Sequence, residues 1–196
     1  MTFPTTPEAL MDLLPAPGEW TEADYFPLSE RGRLVELSDG VVEVVELPTD
    51  FHQLILLRLS FALHAFVNAN QLGQVRFAPL PFRLWPGKIR EPDLMFMSTA
   101  HADRIGTYWG VPDLAVEIIS AGTGKKDRET KRQEYAIAGV SEYWIFDPES
   151  KTVEVFCLEA DGSAYRNSAV LSASDQLYSA LFPGFELNLA EVFREA

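Results

Sequence analysis

The chain has 196 residues, of which 47% are hydrophobic and 23% are charged, a composition typical of a globular domain with one sizeable core. Its single cysteine, Cys157, excludes a disulfide framework and a cysteine-based zinc site. The net charge of −13 argues against general nucleic-acid binding, because affinity for phosphate backbones comes mainly from Lys and Arg.

The N-terminal residues 1–8 lack the basic and apolar regions of a secretion signal. No apolar run approaches the ~18 residues that a membrane-spanning helix needs. We therefore expect a cytoplasmic protein without a membrane partner. We also expect a single domain over residues 1–196, in which residues 1–23 form an N-terminal extension.

Charge is distributed unevenly along the chain. Between Arg83 and Arg132 there are nine Lys or Arg and seven Asp or Glu, a local balance of +2, so the rest carries −15 (−13 minus +2). This central segment is the least acidic part of the chain. It is either a functional concentration of cations or chance clustering on a solvated surface.

Two short helices are predicted near the N-terminus. Thr6 before Pro7 is typical of a helix N-cap and predicts a helix ending at Leu14. Thr21 predicts a second cap, for a helix near Glu22–Phe26.

A β-hairpin and a long helix follow. The turn Ser38-Asp39-Gly40 predicts that strands Arg33–Leu37 and Val41–Leu47 form a hairpin. Asp50, with Gln53 three residues later, predicts the N-terminus of an amphipathic helix that extends to about Asn68.

The second half is predicted to be mainly strands with one helix. The helix covers Asp127–Ala138 and ends at Gly139, a residue typical of helix C-caps. The predicted strands are Gln74–Pro81, Phe82–Trp85, Asp93–Met97, Leu114–Ile119, Glu142–Phe146 and Thr152–Leu158. This mixture predicts an α+β fold with a mixed or mainly antiparallel sheet and helices packed on it.

Glu117 lies within an otherwise apolar strand, where an ionised carboxylate is costly unless a cation or a metal ion pairs with it. Asp93 begins another apolar strand. Two carboxylates on adjacent strands could hold Mg²⁺, which is commonly bound by one or two carboxylates together with substrate phosphate. The pair therefore indicates a site for phosphodiester chemistry.

Lys131 is the candidate cation beside these carboxylates. Asp127, Lys131 and Tyr135 follow i, i+4 spacing and share one helix face. An ammonium there could orient water and stabilise developing negative charge. The alternative is a surface ion pair between Asp127 and Lys131, contributing a few tenths of a kcal/mol.

Several segments together resemble the Uma2 family. They are Leu34–Gly40, Phe51-His52-Gln53, Glu91–Leu94, Pro112–Ser120, the pattern Asp127-x-x-x-Lys131-x-x-x-Tyr135-x-x-x-Gly139-Val140, and Glu142–Pro148 continuing into Thr152–Val155. The resemblance extends from about Asp24 to the C-terminus, and residues 112–155 are its most specific part.

The resemblance implies a restriction endonuclease-like fold of the PD-(D/E)xK nuclease superfamily, a mixed central sheet flanked by helices. It implies that Asp93 and Glu117 bind Mg²⁺, with Mn²⁺ as a possible replacement. One position departs from the superfamily pattern: Ile119 stands where a lysine is expected. In related variants the lysine lies on the following helix, which makes Lys131 the substitute. The resemblance also implies a supporting role for Glu36, although strand alternation alone predicts that Glu36 faces outward.

These observations predict Mg²⁺-dependent hydrolysis of DNA phosphodiesters. Lys131 is predicted to stabilise the attacking water and the transition state, Asp127 to orient Lys131, and Tyr135 to contact phosphate. DNA is the expected partner, and a homodimer is plausible because pairing would add phosphate contacts. Two alternatives stay open: a non-catalytic binding or assembly module on a nuclease fold, and a glycan hydrolase that uses the two carboxylates as an acid/base pair.

The remaining polar candidates are assigned structural roles. Asp113 is interpreted as a turn residue or a residue at the start of a strand. His52, His64 and His101 are not assigned to a metal site, and His52 is expected at the surface or bonded to nearby backbone.

Overall fold

The computed structural model describes residues 14–162 and 164–195, so the predicted helix from Thr6 to Leu14 lies almost entirely outside the described residues. The helices are α1 (Glu22–Ser29), α2 (Asp50–Ala69), α3 (Arg132–Ala138) and α4 (Leu189–Val192). A 3₁₀ helix covers Thr99–Arg104, and a π-helical segment, Lys126–Lys131, leads directly into α3. None of these helices has the length and apolar character that crossing a membrane requires.

The strands form three sheets. Their bounds are β1 (Val35–Ser38), β2 (Val41–Val44), β3 (Gly73–Phe77), β4 (Phe82–Trp85), β5 (Lys88–Arg90), β6 (Leu94–Ser98), β7 (Leu114–Ile118), β8 (Glu142–Asp147), β9 (Thr152–Leu158), β10 (Tyr165–Ser172), β11 (Gln176–Tyr178) and β12 (Glu186–Asn188). The largest sheet has the order β10-β9-β8-β7-β6-β3, a smaller one has the order β2-β1-β5-β4, and β11 pairs with β12. In the largest sheet only β7 and β8 are parallel, so the predicted mixed sheet is confirmed.

The long helix α2 packs on one face of the six-stranded sheet. Its buried residues Ile55, Leu59 and Leu63 recur at helical spacing. They belong to the same core cluster as Leu94 of β6 and Val116 of β7. The helix begins one residue earlier than predicted: Thr49 is the N-cap, and its hydroxyl accepts a hydrogen bond from the backbone N–H of His52. The predicted cap at Asp50 is therefore wrong. Thr49 has the extended backbone that an N-cap requires.

The opposite face of the sheet is covered by α3. Ala115 on β7 and Ile145 on β8 pack there with Tyr135 of α3 in a second core cluster. Glu117 has the same strand parity as Ala115, so its side chain points toward α3 and the π-helical segment. The sheet thus presents its one acidic β7 residue to the basic helical region.

The predicted hairpin is confirmed as β1 and β2, which belong to the smaller sheet. Val35 and Leu37 pack toward α1 in a third core cluster. Glu36 has the opposite parity but is only 1% exposed, so the prediction that it faces outward is wrong. Strand alternation predicts which face of the sheet Glu36 lies on, but not whether that face is exposed to solvent. Here the face is covered by Arg90 and by Lys131 of the π-helical segment.

Other boundaries also differ from the sequence-based prediction. The strand predicted over Gln74–Pro81 ends at Phe77, before Pro79, which has no N–H to continue a ladder. The strand β5, Lys88–Arg90, was not predicted, because its two charged residues mask the apolar alternation. Both are buried and form ion pairs.

Candidate active site

Asp93 directly precedes β6, and Glu117 lies on β7, the antiparallel neighbour of β6. The register pairs Leu94 with Val116, and continuing it by one residue brings Asp93 opposite Glu117. Side chains directly opposite in an antiparallel pair are neighbours. Two strands adjacent in space therefore bring together two carboxylates that are distant in sequence.

Both oxygens of Asp93 have defined contacts. The backbone N–H of Ile118 donates a 2.6 Å hydrogen bond to Oδ2. Nε2 of His52 lies 3.1 Å from Oδ1. His52 is buried in the first turn of α2, and its Nδ1 has no hydrogen-bond partner among the described residues. The strand β7 and the helix α2 thus fix the orientation of the Asp93 carboxylate from two sides.

Glu117 is 5% exposed and receives two hydrogen bonds on Oε1. The Lys131 ammonium donates across 2.8 Å and the Tyr135 hydroxyl across 2.7 Å. Burial raises the pKa of Glu117 to about 8, although the charge of Lys131 acts in the opposite direction. The carboxyl therefore holds a proton more readily than an exposed glutamate.

The Lys131 ammonium lies among three carboxylates. Besides Glu117, it is 3.2 Å from Glu36 Oε1 and 3.5 Å from Asp127 Oδ1. Burial alone would lower the pKa of Lys131, but these carboxylates raise it well above its ordinary value. Lys131 therefore stays positively charged at neutral pH.

Glu36 connects this site to the smaller sheet. Arg90 donates to its Oε2 across 3.0 Å, and Lys126 donates to the same oxygen across 2.8 Å. Burial alone would raise the pKa of Glu36, but Lys131, Arg90 and Lys126 hold it well below its usual range. Glu36 is thus ionised at neutral pH and holds three cations in place.

Asp93, Glu117 and Lys131 line one pocket of about 230 Å³. It is lined by Leu34, Val45, Glu46, Pro48, His52, Gln53, Leu56, Ala78, Pro79, Glu91, Asp93, Glu117, Ile118, Ser120, Thr123, Asp127 and Lys131. Glu91 is a further acid in this pocket: both of its carboxylate oxygens are buried without a hydrogen-bond partner among the described residues. Burial raises the pKa of Glu91 to about 7. Asp127 Oδ1 is likewise buried without a hydrogen bond.

The carboxylate oxygens in the pocket fit a hard divalent cation that keeps several water molecules among its ligands. Asp93 and Glu117 supply carboxylate oxygens in one pocket, and a cation bound there would offset the buried Glu91 oxygens, which have no hydrogen-bond partner among the described residues. Within residues 14–162 and 164–195, no three His, Cys, Asp or Glu side chains form a ready-made metal centre. The arrangement resembles a magnesium site completed by water and substrate phosphate.

The structure brings together all six residues singled out from the sequence: Asp93, Glu117, Lys131, Glu36, Asp127 and Tyr135. Ile119, at the position where the superfamily pattern has a lysine, packs against the second core cluster.

Two residues of the pocket were missed. His52 was expected at the surface, but it is buried against Asp93. The long separation of the two residues in sequence hid this contact. Glu91 was part of a recognised motif, yet no sequence pattern shows that its carboxylate lacks a partner. Asp113, by contrast, directly precedes β7, in agreement with its interpretation as a turn or strand-start residue, and its Oδ1 lies 2.6 Å from His101 Nδ1.

A family model described as "Uma2: Putative restriction endonuclease" matches residues 22–190. The chain is also similar to a solved structure titled "Crystal structure of a putative nuclease belonging to DUF820 from Anabaena variabilis ATCC 29413", with a TM-score of 0.72 and 15% sequence identity. That alignment covers 88% of this chain and 97% of the other. At this identity the likeness shows the fold, which is restriction endonuclease-like.

A weaker similarity links the chain to the type IIG restriction endonuclease BpuSI, with a TM-score of 0.42 and 12% identity. It covers 76% of this chain and 16% of the other, and at this TM-score it carries no argument. No curated protein matches the chain.

Proposed function

The chain belongs to the Uma2 family, and from this membership and the geometry of the pocket we propose that it is a divalent-metal-dependent endonuclease acting on DNA phosphodiesters. The observation that carries the proposal is the contact of Lys131 with Glu117, opposite Asp93 in one pocket. A cation beside paired carboxylates suits stabilisation of a negatively charged phosphoryl transition state. The family match also favours this chemistry over a glycan hydrolase.

In this proposal Asp93 and Glu117 hold Mg²⁺ or Mn²⁺. When bound, the ion would lower the pKa of a water molecule and neutralise charge on the scissile phosphate. His52 and the backbone N–H of Ile118 keep the Asp93 carboxylate directed into the pocket. Glu117 would have to lose its proton to solvent in order to serve as a ligand, because a metal-binding carboxylate must be ionised.

Lys131 supplies a fixed positive charge beside the reacting phosphate. Its ammonium is held by Glu36 and Asp127 as well as by Glu117, so its position is set before substrate arrives. Tyr135 is fully buried, and its hydroxyl donates to Glu117. We propose that Tyr135 orients this carboxylate rather than contacting phosphate.

Cleavage of supercoiled plasmid in Mg²⁺ or Mn²⁺ tests the proposal. Wild type is expected to nick the plasmid, while Asp93→Ala and Lys131→Ala are expected to be inactive. Lys151→Ala is the matched control, because Lys151 is an exposed lysine that pairs with Glu195 outside the pocket. Equal activity in all four proteins would reject the site assignment.

Calorimetric titration with Mn²⁺ distinguishes this proposal from a non-catalytic module on the same fold. Binding that Asp93→Ala abolishes is expected for the nuclease. A folded protein that binds no divalent ion would favour the binding or assembly module. Pairing of two copies stays a prediction, which sedimentation of the full chain would decide.

A further inference from the structure

We infer that the substrate is unpaired, single-stranded DNA, whose backbone enters the pocket while its bases lie against apolar side chains at the rim. This inference rests on the proposed hydrolysis and names the form of DNA that the site takes. Three features of the pocket carry it: its depth, the side chains around it and the state of the nearby cations.

The reacting groups lie deep in a small pocket. The side chains of Glu117 and Lys131 are 7% and 8% exposed, and that of Asp93 is 18% exposed. At about 230 Å³ the pocket is smaller than the ~300–1,000 Å³ clefts that take up drug-sized ligands. It can admit a phosphate with its sugar, but no length of duplex. A DNA strand can reach these carboxylates only where it is separated from its complementary strand.

Three exposed apolar residues are adjacent in sequence to residues that line the pocket. Val44 and Leu47 are each 82% exposed and flank the lining residues Val45 and Glu46. Phe77, which is 59% exposed, directly precedes the lining residue Ala78.

The direction of the Phe77 side chain follows from the strand it ends. Phe77 has the parity of Val75, whose side chain packs in the α2 core cluster, so Phe77 also points to the α2 side of the sheet. The first turns of α2 line the pocket on that side. Such side chains suit the faces of unstacked bases, whereas a duplex presents charged phosphates.

Most of the cations between Arg83 and Arg132 are held in ion pairs within the chain. Lys88, Arg90, Lys126, Arg128 and Lys131 all pair with carboxylates of this chain. Three cations of this segment form no ion pair with any described residue: Arg104, Lys125 and Arg132. Few phosphates can therefore be contacted, while duplex binding depends on many such contacts.

Base contacts compensate for this shortage only when the bases are accessible. In a duplex they are stacked and paired, and extracting one nucleotide costs a few kcal/mol. A single strand carries little of this cost and offers its base faces directly to Phe77 and Leu47. The same pocket should therefore discriminate between the two forms of one sequence.

The test compares one labelled oligonucleotide as a single strand, as a full duplex and as a duplex with a central unpaired segment. With Mn²⁺ and wild-type protein, the single strand and the unpaired segment should be cleaved on the order of 100-fold faster than the duplex, the ratio that corresponds to the cost of extrusion. Equal or faster cleavage of the duplex would overturn the inference and leave the proposed hydrolysis intact.

Binding by fluorescence anisotropy separates the inference from catalysis. Phe77→Ala should weaken binding of the single strand by roughly tenfold, the effect of losing one stacked base. Phe61→Ala is the matched control, since Phe61 is 68% exposed on α2 and lies five residues beyond Leu56, the last α2 residue that lines the pocket. It should bind as wild type does.

Absence of cleavage would reject the proposed hydrolysis, but binding would still decide the strand preference. Tighter binding of the single strand, sensitive to Phe77→Ala alone, would support the inference. Duplex binding as tight as single-strand binding, or equal effects of the two phenylalanine variants, would overturn it.

Discussion

Lys131 on the π-helical segment donates a 2.8 Å hydrogen bond to Glu117 on β7, so the ammonium reaches the strand carboxylate from a neighbouring helix. A lysine at position 119 would share the strand face of Glu117. Ile119 occupies that position and packs in the second core cluster. The π-helical segment thus supplies the cation, Lys131, while the residue directly after β7, Ile119, supplies apolar packing.

Replacing Lys131 by Met should lower the rate of DNA hydrolysis by about 10²–10³-fold, the usual effect of removing one group that stabilises transition-state charge. Methionine keeps much of the side-chain volume, so packing changes little. Plasmid nicking measures the rate, and Lys151→Met controls for loss of a lysine elsewhere. A variant as fast as wild type would show that Lys131 has only a structural role.

Binding of Mn²⁺ at pH 7 should release a proton from Glu117. Burial raises the pKa of this carboxyl to about 8, so the metal-free protein holds a proton that a ligand must lose. Calorimetry in two buffers of different ionisation enthalpy measures the release. Glu91 also has a raised pKa, so Glu91→Gln must be titrated in parallel to assign the proton.

The sign of the stability effect follows from the same pKa. A folded-state pKa above the ordinary 4.5 means that the protonated form stabilises the fold below that pH, and this contribution is lost as pH rises through about 8. Metal-free protein should therefore lose stability over this range, and Mn²⁺ should restore it. Thermal unfolding that is independent of pH between 5 and 8 would contradict the expected shift.

Local patterns predicted much of the fold. The turn at Ser38-Asp39-Gly40 located the β1–β2 hairpin, and apolar spacing located α2, because both signals depend only on nearby residues. The strand β5 was missed, since its charged residues Lys88 and Arg90 are buried through ion pairs that only the folded chain supplies. A charged residue is buried only when partners that are distant in sequence pair with it. The hydrophobic periodicity of a segment therefore cannot predict its burial.

In the site, too, some features follow from the local sequence and others depend on tertiary contacts. Glu117 was identified because a carboxylate in an apolar strand is costly, and this cost is local information. The contact between His52 and Asp93 depends instead on α2 crossing the end of β6, a tertiary arrangement that neither segment indicates alone. Glu91 likewise shows its unpartnered carboxylate only once the pocket is formed.

His52→Asn should weaken Mn²⁺ binding by about 10–100-fold, the usual cost of removing a group that orients a metal ligand. His52 contacts Asp93 Oδ1, so its loss frees the carboxylate to rotate. His64→Asn is the control, because His64 is exposed on the same helix. If both variants bind Mn²⁺ as tightly as wild type does, the Ile118 N–H alone suffices to orient Asp93.

Glu36→Gln should lower the free energy of unfolding by about 3–5 kcal/mol, because it leaves buried cations without their shared carboxylate. Arg90 is 1% exposed and Lys131 is 8% exposed in their side chains, so water cannot replace Glu36 around them. Chemical denaturation at pH 7 measures the difference. Glu195→Gln is the control: Glu195 pairs with Lys151 at the surface, and its loss should leave the free energy of unfolding nearly unchanged.

The effect of Glu36→Gln should also depend on pH. The cations hold the folded-state pKa of Glu36 below its ordinary 4.5, so its stabilising contribution is present above that pH and is lost as pH falls through the lowered value. The gap in stability between wild type and variant should therefore be constant from pH 8 to about 5 and narrow in acid. A gap of the same size at pH 3 and pH 7 would show that Glu36 stabilises the fold by shape and hydrogen bonding rather than by its charge.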